Sequence, residues 1–578
     1  MHQSLHETAA ATPPAFEAGV VFEDAGRVSH RAERLVLLLA VSGFLAYAAA
    51  FIYRTSFVIA GERYFSLFDD AMVSMRYARN LAEGYGLVWN PGGERVEGYT
   101  NPLWVLYMAL LHRLPVPASK TSLLVQVSAA VCLALNLLYV RRIALAISDG
   151  VRLVAWAAIA LTATYLPINF WGLQGMEVSV LVLLTTACAW LAISAMDAGR
   201  FDPRLYLLLG VGTLVRPDMV IPFVAFAGYM LLVDSAHWRQ HAAWGVLVLA
   251  AAVLVQTLFR LWYYGDVFPN TYYLKMTGVP FAVRVMRGAD VTLQFVWRAS
   301  PVLFLLTALL AFRSDRRIRL LLWILAVQVT YSVYVGGDAW EYWGGSNRYV
   351  SIAMSGFFVV LSHALHLTAG ALAGVRRLDA DRGRARARAS ILVFAAGVAY
   401  AAVAFNSIHG RSALAEAALI RPPLHTGPGG SNHEDVEEAL LLRAATAPDA
   451  SIAVVRAGTI PYFAERPTID LLGKNDRYIA REPARVPPGG TLGFRDFRPG
   501  HMKFDFAYSI GQLRPDVIVH LRRRTALAKP FLDAGEYKDV LLSGRCVHAR
   551  RHSIRVFWDR LPVAGCTAAE DPAAAQSR

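Results

Sequence analysis

The sequence predicts a polytopic α-helical membrane protein with about eleven spanning helices and a C-terminal extracytoplasmic domain of α/β or α+β type. Three observations predict it. Of 578 residues, 56% are hydrophobic and only 17% charged, against roughly 25% charged in ordinary soluble domains. Charge-free apolar runs recur at Leu35–Tyr53, Thr121–Val140 and Val178–Met196, each matching the roughly 20 residues a helix needs to cross a bilayer. Beyond Asn406 no such run occurs, and short apolar stretches alternate with turn residues.

Residues 1–34 are polar and mixed in charge, which predicts a disordered cytoplasmic tail. The spans follow at 35–53, 121–140, 153–168, 178–196, 205–215, 219–233, 242–260, 299–312, 320–336, 349–367 and 389–406, so that 35–406 forms the membrane domain. No small-residue cleavage site follows the first span, which reads as a retained anchor. Residues 54–120 form a first outer loop; within it Asn101–Leu114 is apolar but only 14 residues long, too short to cross and suited to an interfacial helix. The segment 205–233 divides at Arg216-Pro217-Asp218, the alternative being one kinked helix.

Orientation comes from the cations. The chain carries 57 Lys+Arg against 43 Asp+Glu, a net charge of +14. With the N-terminus inside, the cytoplasmic loops hold Arg141, Arg142, Arg152, Arg200, Arg204, Arg239, Arg313, Arg316, Arg317, Arg319, Arg376, Arg377, Arg382, Arg384, Arg386 and Arg388. The opposite loops after residue 120 hold only Arg216, Lys275, Arg284, Arg287, Arg298 and Arg348. That asymmetry obeys the positive-inside rule, and the basic charge reads as a topology signal, not as nucleic-acid binding.

Residues 407–578 form the extracytoplasmic domain, with strands expected at Ser451–Val455, Val517–Leu521 and Ser553–Trp558 and a helix at His433–Ala445. Cys546 and Cys566 both fall there, in an oxidising compartment, either as a disulfide or as two thiols. Cys132, Cys188, His363 and His366 lie within spans and read as packing residues.

The polar motifs collect on the outer side. The first loop runs from Phe68-Asp69-Asp70 through Arg76-Tyr77-Ala78-Arg79-Asn80 to Val96-Glu97-Gly98-Tyr99-Thr100-Asn101-Pro102. Later loops contribute Gly175-Met176-Glu177, Arg216-Pro217-Asp218, Tyr264-Gly265-Asp266 through Asn270 to Lys275, Gly336-Gly337-Asp338 and Asn347-Arg348-Tyr349. Adjacent carboxylates such as Asp69 and Asp70 repel, which raises one pKa or recruits a cation. Either outcome suits a general base beside a group that orients a metal or sugar hydroxyls; a capping role for Asp69 on a helix through Asn80 is compatible with it. Arg216, Lys275 and Arg348 each sit where a span meets the outer face, as phosphate ligands or as cations snorkelling to headgroups. Trp89, Trp104, Tyr99, Tyr263 and Tyr264 suit an aromatic belt or sugar stacking equally.

These motifs resemble those of the GT-C superfamily, integral-membrane glycosyltransferases that use polyprenyl-phosphate-linked sugars. The tail adds Ala457-Gly458-Thr459-Ile460-Pro461-Tyr462, Ile469-Asp470-Leu471-Leu472-Gly473-Lys474-Asn475-Asp476, Gly500-His501-Met502-Lys503 and Arg514-Pro515-Asp516-Val517-Ile518. The resemblance covers roughly residues 35–520 and is nearest to the branch of mycobacterial terminal arabinofuranosyltransferases. It implies an inverting transfer of a sugar, arabinofuranose or a hexose, from polyprenyl phosphate to a glycan, lipid or protein acceptor of a bacterial cell envelope. By that resemblance Asp69 is the base with Asp70 second; from the residues themselves, Arg216, Lys275 and Arg348 are the fixed cations expected to hold the donor phosphate. Glu97, Tyr99, Asn101, Glu177, Asp266, Asn270 and Asp338 would line the substrate site. A divalent cation (Mg, Mn or Ca) on Asp69 and Asp70 is left open, since some relatives bind one and others need none.

Two other classes of membrane protein fit the sequence less well. A secondary transporter or flippase would place ionisable residues near the midplane and show internal repeats, whereas the charges here lie at loop edges and no repeat is present. A receptor would have no need of paired aspartates facing three cations.

Overall fold

The computed structural model describes residues 30–313, 315–341, 347–374, 383–407, 413–423, 426–486, 492–521 and 524–561. The tail before residue 30, Arg376, Arg377, Arg382 and Cys566 lie outside the described residues. Cys546 is disulfide-bonded.

The first span is α1 (His30–Thr55). A hairpin of β1 (Phe57–Ile59) and β2 (Glu62–Tyr64) then leads into α2 (Asp69–Ala82) and α3 (Pro102–His112). The bundle continues with α4 (Ala118–Ile147), α5 (Arg152–Thr164), α6 (Leu166–Leu173), α7 (Val178–Ala198), α8 (Arg204–Val215), α9 (Val220–Val233) and α10 (Trp238–Tyr264). A short α11 (Asn270–Met276) precedes α12 (Phe281–Ala299), α13 (Pro301–Leu309) and α14 (Arg316–Val335). The last helices of the bundle are α15 (Arg348–Ser351), α16 (Met354–Gly374) and α17 (Gly383–Ser407).

Seven of these, α1, α4, α7, α10, α14, α16 and α17, are long and apolar enough to cross a membrane, and nine spans result if each of two bent pairs counts as one. The pairs are α5 with α6, bent by 51°, and α12 with α13 (continued to Phe312), bent by 94°. The other two of the eleven expected spans are α8 and α9, which at 12 and 14 residues fall short of the usual crossing length. The sharper bend differs from the expected straight span at 299–312. Pro301 cannot donate to a helical hydrogen bond, and Ser300 before it adopts a positive φ of 140°, so α12 ends there and turns. Large apolar side chains such as Leu254, Trp262 and Leu392 remain exposed on the bundle's outside, as a lipid-facing surface requires.

The tail begins with α18 (Ala413–Ala417) and α19 (Ser431–Ala445). It contains β3 (Ile452–Val454), α20 (Thr459–Ala464), β4 (Thr468–Asp470), α21 (Arg477–Arg481), β5 (Val517–Ile518), α22 (Thr525–Ala534), β6 (Tyr537–Leu542) and β7 (Arg545–Arg550). The five strands form one mixed sheet in the order β4-β3-β5-β7-β6. β3 runs parallel to both neighbours, while β5–β7 and β6–β7 are antiparallel. The helix and two of the strands fall where the sequence predicts. Ser553–Trp558 does not form a strand: Val556 makes one isolated bridge to Thr446, and Ile554 is 92% exposed. The antiparallel partners are β6 and β7 instead, joined by Ser543-Gly544 with positive φ at both residues, the turn geometry that suits a two-residue hairpin.

Polar anchors fasten the tail to the first loop. The buried Arg76 guanidinium donates to the carbonyls of Trp89, Pro461 and Arg466 and to Asn90 Oδ1. Trp89 Nε1 donates to Ala457 O at 3.2 Å, and Asn432 Nδ2 to Leu67 O at 2.9 Å. These bonds satisfy groups that burial would otherwise leave unpaired. They set the N-terminus of α2 against the tail.

Candidate active site

Residues Phe68-Asp69-Asp70 open α2. Phe68 is extended (φ −60°, ψ 144°), and its ring packs edge-on against Trp171 at 5.0 Å and Trp340 at 4.9 Å. Neighbouring residues of a helix project about 100° apart, so the two carboxylates meet different surroundings.

Asp69 caps a helix, but not its own. Its Oδ1 accepts from Gly458 N at 3.2 Å and Thr459 N at 2.9 Å, the amides of the residue before α20 and of its first residue in the tail. Among the described residues its Oδ2 accepts no hydrogen bond. Burial pushes the Asp69 carboxyl up, against the opposing pull of Arg456 and the Thr459 amide. The contact leaves no room at residue 458, where a Cβ would lie 1.9 Å from Asp69 O. Gly458→Ala is expected to cost about 1–3 kcal/mol by overpacking and to lower the melting temperature of the purified protein; unchanged melting would mean that the two segments do not meet.

Asp70 faces cations. Lys474 Nζ lies 2.8 Å from Oδ1, and Arg348 Nη1 3.0 Å from Oδ2. Burial alone would raise this carboxyl, but Lys474 and Arg348 hold it well below the usual carboxylate range. Arg348 is also forked onto Asp338, Nε to Oδ2 at 2.7 Å and Nη2 to Oδ1 at 3.1 Å. The turn carrying Asp338 is held from α12, where Arg287 donates to the carbonyls of Gly336 and Asp338. Glu341 accepts from Asp338 N at 3.0 Å. Burial, and then Asp338 beside it, push the Glu341 carboxyl up to about 8 despite Arg287.

A second network runs behind the first. Ser74 Oγ donates to Asn101 Oδ1 at 2.9 Å, Asn101 Nδ2 to Glu177 Oε2 at 2.9 Å, and Arg216 Nη1 to Glu177 Oε1 at 2.6 Å. Arg216 Nε also pairs with Asp218, and the guanidinium sits 5.2 Å from the Tyr349 ring centre. The structure thus joins Asn101, Glu177 and Arg216 in one chain, and Asp70, Asp338 and Arg348 in another. Both arginines are engaged by two carboxylates each.

Lys275 differs. Among the described residues it makes no hydrogen bond or ion pair, and burial, with Arg348 next, lowers its pKa to about 8 while Asp70 opposes. Its helix α11 is tied to the tail by Asn270, whose Nδ2 donates to the carbonyls of Gly473, Lys474 and Asp476 at 3.0, 3.1 and 3.1 Å. Lys503 Nζ adds bonds to Tyr273 O at 2.9 Å and Ala480 O at 2.8 Å. From the tail, Arg498 lies 5.0 Å and His501 6.3 Å from the Trp340 ring.

Three expected residues fall elsewhere. Glu97 pairs with Arg260 Nε at 2.7 Å, and burial pushes its carboxyl up to about 7 against that arginine. Tyr99 is buried with its hydroxyl 2.9 Å from that of Tyr264, which uses the ring for packing. Asp266 holds Arg477 and Arg481 near the surface.

Asp69 and Asp70 do not fit a divalent cation. Asp70 is neutralised on both oxygens by an ammonium and a guanidinium, and Asp69 Oδ1 is taken by two amides. The metal-like groupings among the described residues lie in the tail. Of these, Asp435, Glu438 and His520 surround the Arg545 guanidinium, and the other contains the disulfide-bonded Cys546.

An apolar cavity of about 420 Å³ lies between α12, α13, α14 and α16, lined by side chains such as Val291, Phe295, Phe304, Leu325 and Phe357. One part of its wall is Glu341 and Asn347, so it adjoins the Asp338 turn. Sequence reasoning assigned no role to Lys474, Glu341 or Arg287. In the sequence Lys474 is visible as part of the tail motif Ile469–Asp476, and Arg287 as one of the outer-side topology charges.

Residues 430–558, from α19 through the hairpin, match a family described as a domain of unknown function (DUF8728). The chain is 28% identical over 223 residues to a terminal β-(1→2)-arabinofuranosyltransferase of Corynebacterium glutamicum, covering 35% of this chain and 32% of that protein. The Mycobacterium tuberculosis protein of the same name is 27% identical over 216 residues, covering 35% of this chain and 34% of the relative. The chain thus spans about a third of the length of these curated relatives. Its fold is similar to that of ArnT from Cupriavidus metallidurans bound to undecaprenyl phosphate, with a TM-score of 0.50 at 10% identity, over 91% of this chain and 99% of that chain.

Proposed function

We propose that this polytopic membrane protein, which has the GT-C fold, is a glycosyltransferase that moves a sugar from a polyprenyl-phosphate donor to an envelope glycan, lipid or protein. It would act on the outer face of the bacterial cytoplasmic membrane, with the tail domain extracytoplasmic over the membrane domain. The observation that carries the reading is the junction of two environments: a dense cluster of acids and cations around Asp69 and Asp70, beside an apolar cavity walled in part by Glu341 and Asn347. A ligand with a charged head and a long hydrocarbon tail fits that junction.

In the reaction the acceptor hydroxyl attacks the anomeric carbon, the new glycosidic C–O bond forms, and the anomeric C–O bond to phosphate breaks. The bond's electron pair leaves on the polyprenyl phosphate, which gives an inverting displacement. Asp69 takes the hydroxyl proton on Oδ2, while Oδ1 stays anchored to α20. Asp70, held ionised, is the poorer base of the two, and the divergence of neighbouring carboxyl pKa values separates the roles. Lys275 stabilises charge on the leaving phosphate, as fixed cations do in such transition states. Arg216 and Arg348 act through the carboxylates they hold.

The test is release of polyprenyl phosphate by the purified protein across polyprenyl-phosphate arabinofuranose, mannose, glucose and galactose, with envelope glycan as acceptor. Acceptor-dependent turnover with one donor is expected. Folded protein that binds these lipids yet turns over none of them would favour a transporter or flippase.

The pH profile follows from the Asp69 environment. A base must be ionised to work, and a raised pKa moves loss of activity upward in pH. The acid limb of kcat should therefore lie above about pH 4, the ordinary aspartate value. A rate that stays flat down to that pH would remove Asp69 from the role of base.

A further inference from the structure

We propose that Arg456, in the loop between β3 and α20, is a positioning residue for the reaction proposed above: it shares its positive charge between Asp69 and Asp435 and keeps Asp69 in the form that accepts a proton. The inference rests on Asp69 being the base.

Contacts from two sides bring the Arg456 loop to Asp69. Two and three residues on, the Gly458 and Thr459 amides donate to Asp69 Oδ1. The carbonyl of Ala457, next to Arg456, is fixed by Trp89 Nε1 at 3.2 Å. From the other side comes α19, where Asn432 Nδ2 donates to Leu67 O at 2.9 Å. About one turn further along α19, Asp435 Oδ2 lies 3.0 Å from Arg456 Nη1. The ion pair thus joins two segments that both close on residues 67–69. Its side chains are 18% and 0% exposed, and charges so enclosed are screened far less than at a wet surface.

Three charges bear on Asp69: Arg456 from the β3–α20 loop, Asp435 from α19 and Asp70 from its own helix. Burial pushes the Asp69 carboxyl up, Arg456 is the strongest pull the other way, and Asp435 and Asp70 oppose Arg456. The charge of Asp70 is already matched by Lys474 and Arg348. Asp435 decides how much of Arg456 reaches Asp69. Its Oδ1 accepts from Arg545 Nη1 at 2.7 Å, with His520 Nε2 3.7 Å away, and Arg545 also pairs with Glu434 and Glu438. Burial alone would raise the Asp435 carboxyl, but Arg456, His520 and Arg545 hold it below the ordinary aspartate value. A carboxylate with a second arginine of its own leaves part of the Arg456 charge for Asp69. Neither extreme suits a base, which must be ionised yet still basic, and a shared cation sets the value between them.

The test is the pH dependence of kcat for the full-length protein in lipid nanodiscs, with the donor identified in the panel. Only ionised Asp69 works, so the rate falls as pH drops through its pKa. Arg456→Met should move that acid limb up by about one pH unit or more, the effect of losing a nearby opposite charge, and lower kcat about tenfold below the limb. The KM for the donor should hold, since Lys275 is untouched. Asp435→Asn should move the limb down, because it removes a negative charge beside Asp69 and releases Arg456 to it. Arg456→Lys should keep the limb near that of wild type. A merely structural role would lower melting and rate without this reversal of sign. Should Asp435→Asn fail to fold, the two variants of Arg456, the more exposed of the pair, decide alone. A limb at the wild-type pH in Arg456→Met, or one shifted equally in Arg456→Lys, overturns the inference while leaving Asp69 as the base. The residual rate of Asp69→Asn should show no such limb; a limb that persists there removes Asp69 from the role of base, and this inference falls with it.

Discussion

Replacing Asp69 by Asn should lower turnover by roughly 10²–10⁴-fold, the usual contribution of a positioned general base, without loosening the protein. The reason is geometric. The amide oxygen of Asn can still accept the Gly458 and Thr459 amides that Asp69 Oδ1 holds, so the joint between α2 and α20 survives. What disappears is the carboxylate oxygen available for a proton. The measurement is kcat with the donor identified in the panel, together with the melting temperature of the variant. Near-normal turnover by Asp69→Asn would overturn the base assignment and make Asp70 the next candidate. Asp70→Asn should behave differently, because Lys474 and Arg348 would lose the negative charge between them, and the change should fall first on donor binding.

Arg348→Met should be the most destabilising single change at the site, by about 3–5 kcal/mol, as expected when one partner of a buried ion pair is removed. Asp338 would be left nearly fully buried with its guanidinium gone, and Asp70 would lose one of the two cations it is paired with. Thermal unfolding of the purified protein reads the effect. Adding Asp338→Asn to the same chain should recover part of the loss, since the stranded charge is then gone. If Arg348→Met melts with wild type, the arginine is not a strut but a cation available to the ligand, as the sequence-level reading of span-end cations had it.

The sequence by itself determined the class of protein. Hydropathy and charge are properties of short windows, so apolar runs such as Thr121–Val140 located helices such as α4 without any knowledge of their neighbours. The aspartates, the span-end cations and the tail motifs were likewise visible as residues. A local window could also have found the Ser543-Gly544 hairpin, where the alternation around Ile554 misled. The bend at Ser300-Pro301 was visible only as a proline. Partnership was not legible. That Asp69 would cap a helix 389 and 390 residues away, and that Asp70 would meet Arg348 and Lys474 at separations of 278 and 404, depends on where the chain returns in space. Three cations that look alike in sequence became two arginines each held by two carboxylates and one lysine that makes no ion pair among the described residues. Lys474, a tail residue with no assigned role, became the second cation on Asp70. The physical reason is that burial in a bilayer is set by residue type over one helix length, whereas an ion's behaviour is set by its nearest counter-charges and its exposure, and here both come from distant segments that only the tertiary structure brings together.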